Sequence, residues 1–143
     1  MAGSRLVHLC GPVQHGDARG RTLGFPTANI RVESVSGGDA LAPGVWAGWA
    51  RWKHGPWYMA VVNVGMRPTF GGETCTIEAH LIDYLGDLYG RTLELRLVAR
   101  LRDECRFDRI EALVKQIQAD VEQARTLLAR RPANTLTEVE KWR

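Results

Sequence analysis

Residues 45–64 read VWAGWARWKHGPWYMAVVNV, two runs that alternate across the short connection His54-Gly55-Pro56. A period of two sends successive side chains to opposite faces of a strand, so the stretch predicts a β-hairpin with strands over 45–53 and 57–64. The same alternation sets Trp49 on the face opposite Trp46 and Trp52. Outward from the hairpin, residues 75–83 (CTIEAHLID) alternate Ile77, Ala79 and Leu81 against Thr76, Glu78 and His80. Residues 92–100 (TLELRLVAR) alternate Leu93, Leu95, Leu97 and Ala99 against Thr92, Glu94 and Arg96. Each strand thus has one apolar and one polar face. Glycine-marked turns fall between them, at Gly71–Glu73 and Gly86–Gly90. After Phe107 the period becomes helical: Ile110, Leu113, Val114, Ile117, Val121, Ala124 and Leu128 form one stripe, Asp108 is placed to cap, and Glu111 stands three residues on. That predicts a helix of about twenty residues whose stripe packs on the core, as a lid over one opening of a small barrel. From Arg130 the chain is polar and contains Pro132, which predicts a loop or a second short element. The architecture that fits is an antiparallel β barrel of about six strands with a C-terminal α-helix, in one domain.

Composition agrees with one compact domain: 143 residues, 45% hydrophobic and 24% charged. No apolar run approaches the ~20 residues of a membrane helix, and the start, MAGSRLVHLCGPV, lacks the apolar stretch of a signal peptide. The expectation is a cytoplasmic protein with no membrane partner. Cys10, Cys75 and Cys105 are far apart and show no metal-ligand spacing, so reduced thiols are expected. The net charge of +3 is unevenly spread: residues 1–72 hold seven Arg/Lys against three acids, and residues 73–143 hold twelve against thirteen. Thirteen of the fifteen glycines also precede residue 73. Glycine-freed backbone N–H groups in a mildly positive region suit a phosphate-bearing ligand, although such loops also simply turn corners in β folds.

The most unusual stretch is GPVQHGDARGRTLGFPTAN, Gly11–Asn29, with Gly16, Gly20 and Gly24 four apart and Arg19 and Arg21 between them. It is neither a P-loop nor a Rossmann loop. Beyond Pro26, an extended chain points Thr27 and Asn29 the same way, and a hydroxyl with an amide oxygen makes a hard-oxygen pair suited to Mg²⁺. In a turn, the same two side chains would instead bond their own backbone. Glu78 lies on the polar face of its strand beside His80, where it is either a solvated carboxylate or a general base facing a cleft. No second histidine supports a zinc site.

Further matches occur in order along the chain. P-G-V stands at Pro43–Val45, V-N-V-G-x-R-P-T-F at Val62–Phe70, and E-A-H-L-x-D at Glu78–Asp83. G-D-L-Y-G follows at Gly86–Gly90, and L-R-x-E-x-R-F at Leu101–Phe107. Together with Gly11–Asn29 the set resembles riboflavin kinase (flavokinase), in particular the C-terminal kinase module of bacterial bifunctional riboflavin kinase/FAD synthetases. The resemblance spans about residues 6–128 and leaves a polar tail at about 130–143, all within a single domain over 1–143.

The resemblance implies a six-stranded antiparallel Greek-key barrel with a C-terminal helix that transfers the γ-phosphoryl group of ATP to riboflavin, giving FMN and ADP. It implies a Gly16–Gly24 flap over the ATP phosphates with Arg21 assisting, Thr27 and Asn29 as Mg²⁺–nucleotide ligands, and Glu78 as catalytic base. Leu81, Asp83 and Tyr89 are similar to nucleotide contacts made largely through backbone, and Arg102 and Phe107 to the flavin side. Cys105 departs from the family pattern, where a basic residue is usual. The adenylyltransferase module of the bifunctional enzymes is absent from these residues, so FAD synthesis is not expected.

Two other classes compete. A barrel that binds flavin or nucleotide without turnover has no need of Thr27, Asn29 and Glu78 together. A single-stranded nucleic-acid binder would stack bases on the tryptophans, but alternation splits them between two faces and the charge is low, so no nucleic-acid partner is expected. A monomer is the expected state.

Overall fold

The computed structural model describes residues 6–14, 24–38 and 41–133. Among these residues seven strands and one helix follow in order: β1 (Val7–Gln14), β2 (Ala28–Ile30), β3 (Ser34–Ser36), β4 (Gly44–Arg51), β5 (Tyr58–Thr69), β6 (Gly72–Leu81), β7 (Thr92–Arg102) and α1 (Ile110–Ala129). All pairings are antiparallel. The order β2-β6-β5-β4-β7-β1 closes on itself because β1 also pairs with β2. β3 continues along the same edge of β1 beyond β2, and the amides of Arg31 and Glu33 bond Pro12 and Cys10 across the gap. Residues 28–36 therefore act as one interrupted strand, and the barrel is six-stranded. Strands β4, β5 and β6 form a meander, and β7 returns to lie beside β4, which is the Greek-key arrangement.

Alternation decides what fills the barrel. Val7 and Leu9 of β1, Trp46 of β4, Val62 and Val64 of β5, Ile77 of β6 and Leu93, Leu95 and Leu97 of β7 form one buried cluster inside it. A second cluster lies on the outer wall. There Val121, Ala124 and Leu128 of α1 pack on Ala47, Trp49 and Val98, and Trp49 Nε1 donates to the Arg131 carbonyl at 2.9 Å. The expected split of Trp46 and Trp52 from Trp49 follows, each group joining a different cluster.

The helix is twenty residues long, but it is not a lid over an opening: it lies along the outer wall against β4, β5 and β7. Small and apolar outward residues such as Ala47, Met59 and Val61 make that wall a better partner than a barrel end. The expected Asp108 cap is also corrected. The N-cap is Arg109, in extended conformation and without a side-chain cap bond. Only the C-terminal half of the stripe is fully buried, and Ile110 is exposed. The three cysteines carry no disulfide. Among the described residues no helix is long and apolar enough to cross a membrane.

Candidate functional site

The N-terminal half of α1 overhangs the outer wall, and beneath it lies a cleft of about 550 Å³. That volume falls in the range of sites for ligands of cofactor size. Its floor is set by strand register. Asn29 of β2 stands opposite Glu78 of β6, Glu78 opposite Asn63 of β5, Asn63 opposite Val45 of β4, and Val45 opposite Arg102 of β7. Side chains directly opposite in an antiparallel pair have Cβ atoms about 4.5–5.5 Å apart, so the row is continuous. Each member of the row faces outward, because Ile77, Ala79, Val62 and Val64 take the inward positions.

Thr27 donates its hydroxyl to Glu78 Oε1 at 3.5 Å. His80 holds the Thr27 segment in place: its Nδ1 lies 2.9 Å from the Pro26 carbonyl, and its ring meets Phe25 edge-on at 5.7 Å. A carbonyl only accepts, so Nδ1 is the donor in this bond. The apolar walls are Phe25, Val45, Val61, Phe107, Leu113 and Ile117. The mouth carries Arg67, Glu104, Cys105 and Arg106.

At the far end Arg102 is fixed by a carboxylate that the sequence reading did not single out. Asp120 of α1 is 2% exposed. It accepts from Arg102 Nε at 2.9 Å and from Nη2 at 2.8 Å, while Gln116 donates to the same carboxylate at 3.0 Å. The hydrogen bonds to Asp120 hold the guanidinium's pKa above its ordinary value. Its Nη1 donates to the Asp103 carbonyl at 2.9 Å. One signal marks Asp120: it interrupts the apolar stripe, three residues after Ile117 and four before Ala124. Asn63 was also missed. It sits within the V-N-V-G motif, on the outward face of β5, and its Oδ1 is buried without a partner.

The cleft brings together Thr27, Glu78, Arg102 and Phe107. Asn29 flanks it through its register with Glu78. Gly24, Leu81, Asp83 and Tyr89 do not line it. Leu81 points into the barrel core, 4% exposed, which leaves only its backbone for a ligand. Asp83 adopts φ 64° and its carboxylate takes both Arg125 Nη atoms at 2.9 and 3.0 Å. Tyr89 is exposed on the turn where its amide bonds Asp87 Oδ1 at 2.9 Å. Gly16 and Arg21 lie outside the described residues.

Thr27, Asn29 and Glu78 offer a hydroxyl, an amide oxygen and a carboxylate from adjacent segments, which is hard-oxygen chemistry suited to Mg²⁺. No group of three or more His, Cys, Asp or Glu able to hold a metal occurs among the described residues. A cation here would therefore share its coordination with substrate phosphate and water, as Mg²⁺ commonly does.

Residues 4–128 match the family model described as "Flavokinase: Riboflavin kinase". A bifunctional riboflavin kinase/FMN adenylyltransferase of Haemophilus influenzae is 39% identical over 117 residues, covering 82% of this chain and 37% of that protein. A solved structure titled as a macrolide-efflux protein from Streptococcus pneumoniae superposes with TM-score 0.76 at 36% identity, covering 82% of this chain and 38% of that one. The crystal structure of riboflavin kinase from Trypanosoma brucei superposes with TM-score 0.65 at 26% identity, covering 87% of this chain and 81% of that one. The chain spans under two-fifths of the length of the H. influenzae relative. With the match running through every element of the barrel and most of the helix, the chain belongs to the riboflavin kinase family.

Proposed function

We propose that the protein transfers the γ-phosphoryl group of ATP to the ribityl 5′-hydroxyl of riboflavin, giving FMN and ADP. The observation that carries this reading is Glu78 on the floor of the cleft, bonded by Thr27 on one side and flanked by an apolar-walled chamber on the other. Phosphoryl transfer needs little covalent help, so alignment and charge control dominate. An alcohol is a weak nucleophile at neutral pH. Glu78 accepts its proton as the oxygen attacks phosphorus and the bond to ADP breaks, an effect typically worth ~10²–10⁴-fold.

Thr27 and Asn29 would hold Mg²⁺, which when bound neutralises charge on the phosphate oxygens. His80 fixes the Pro26 carbonyl and so orients Thr27. Phe25, Phe107, Leu113 and Ile117 give the flavin ring an apolar bed and exclude water, which otherwise competes as acceptor. Arg102, held by Asp120, presents a fixed cation at the flavin end. Gly16, Arg21 and Gly24 serve the phosphates, and Leu81, Asp83 and Tyr89 serve the nucleotide. The protein works in the cytoplasm as a monomer, without a nucleic-acid partner.

Incubation with riboflavin and Mg–ATP should yield FMN and ADP in equal amounts, read by chromatography. Binding of both substrates without FMN would favour the non-catalytic flavin sensor instead. Failure to bind flavin would overturn both.

A further inference from the structure

We propose that Asn63 is a specificity-determining residue, whose carboxamide hydrogen-bonds the hydroxylated chain of the acceptor beside Glu78. The inference rests on the reading of the cleft as a riboflavin phosphorylation site and goes beyond it by naming the residue that reads the chain rather than the ring. Asn63 Oδ1 has neither solvent nor a hydrogen-bond partner. A buried acceptor left unmet has given up its water without gaining a partner, which is a net cost to the fold.

The sheet has no need of an amide at this position. Val61 two residues back and Val45 directly across on β4 show that an apolar residue suits the same outward face. Residues with β-branched side chains also fit a pleated surface better than Asn does. Glu78, opposite Asn63 on β6, is an acceptor and cannot satisfy Oδ1. What can satisfy it is a donor entering the cleft.

The ligand chemistry follows from the pair. A hydroxyl both donates and accepts, as a carboxamide does, and χ2 of Asn is a soft torsion that swings the oxygen toward such a group. Asn63 and Glu78 are one strand apart, a spacing that a polyol chain of a few carbons bridges. Glu78 takes the proton of the reacting hydroxyl while Asn63 bonds another hydroxyl of the same chain and fixes the rotamer that presents the first. Aspartate in this place would set a second negative charge against Glu78, and leucine would fill the space without a donor or acceptor.

The test compares riboflavin with lumiflavin, which has the same ring and no hydroxylated chain, by quenching of flavin fluorescence. Asn63→Leu should weaken riboflavin three- to tenfold, the loss of one neutral hydrogen bond, and leave lumiflavin within twofold. Asn63→Ala should give the same pattern and serves if the leucine variant does not fold, as judged by circular dichroism. In the folded variants KM for riboflavin should rise while KM for ATP stays unchanged. Equal weakening of both flavins, or of neither, overturns the proposal while leaving the kinase reading intact. A wild-type protein that binds both flavins equally tightly also overturns it. A wild-type protein that binds riboflavin but makes no FMN overturns the kinase reading itself.

Discussion

Glu78 shows how much a single residue's role depends on its neighbours. Its outward position was legible from alternation with Ile77 and Ala79, but its cleft was not, because the cleft is completed by Leu113 and Ile117 of α1, more than thirty residues further along the chain. Asp120 was illegible for a related reason: a carboxylate within an apolar stripe has meaning only once Arg102 arrives from another strand. Removing it should be costly. Asp120→Ala should destabilise the protein by about 3 kcal/mol in urea unfolding, the low end for a broken buried pair because Arg102 keeps some access to water. A loss under about 1 kcal/mol would show that the pair is not a structural anchor. Thr27→Ala and Asn29→Ala should weaken Mg–ATP binding by calorimetry more than riboflavin binding. Equal loss of both would remove their assigned role.

At the scale of elements, β5 and β6 were readable because each alternates over many residues, whereas β4 buries both faces rather than one, and β7 loses its period at Val98, where its register with β4 shifts and Ala99 turns to the outer wall instead of the core. β1 was not readable: VHLCGPVQ carries Gly11-Pro12 in its middle, which locally signals a turn. Packing overrides that signal. A Cβ on Gly11 would run into the Arg31 carbonyl, so the interrupted strand 28–36 approaches β1 only because residue 11 has no side chain. Gly11→Ala should therefore lower stability by about 1–3 kcal/mol by overpacking, read from the urea midpoint. An unchanged midpoint would mean that the two segments separate freely. β2 and β3, three residues each, are too short to show any period: β2 forms only between β1 and β6, and β3 only along β1. The helix was legible in length and stripe, but its placement depended on the outer face of the barrel, which no local pattern describes.

The whole molecule is two apolar layers sharing one sheet, with the site where the outer layer gives out. Ion pairs within the sheet, and one from α1 to Asp83, make stability depend on pH. Burial raises the pKa of Glu94, but Arg51, 2.6 Å away, and then His8 outweigh it, and the net effect is a carboxyl held below its ordinary value. The hydrogen bonds from Arg125 likewise lower Asp83. With both folded pKa values depressed, the unfolded chain binds more protons in acid. Their contribution is complete above the ordinary carboxylate range of about 4–4.5 and is lost as pH falls through the folded values. The urea midpoint should decline from pH 5 to pH 3, and Arg51→Gln should flatten that decline; an equal slope in the variant would exclude Glu94 as a source.

The central claim is that the outer-wall cleft is a phosphoryl-transfer site with Glu78 as its base. Its most direct test follows γ-³²P-labelled Mg–ATP into riboflavin with the wild-type protein and Glu78→Gln side by side, after both are shown to bind the two substrates. Labelled FMN should form with the wild type and appear at least ~10²-fold more slowly with the variant. Equal rates from the two proteins, or no labelled FMN from a wild type that binds both substrates, would contradict it.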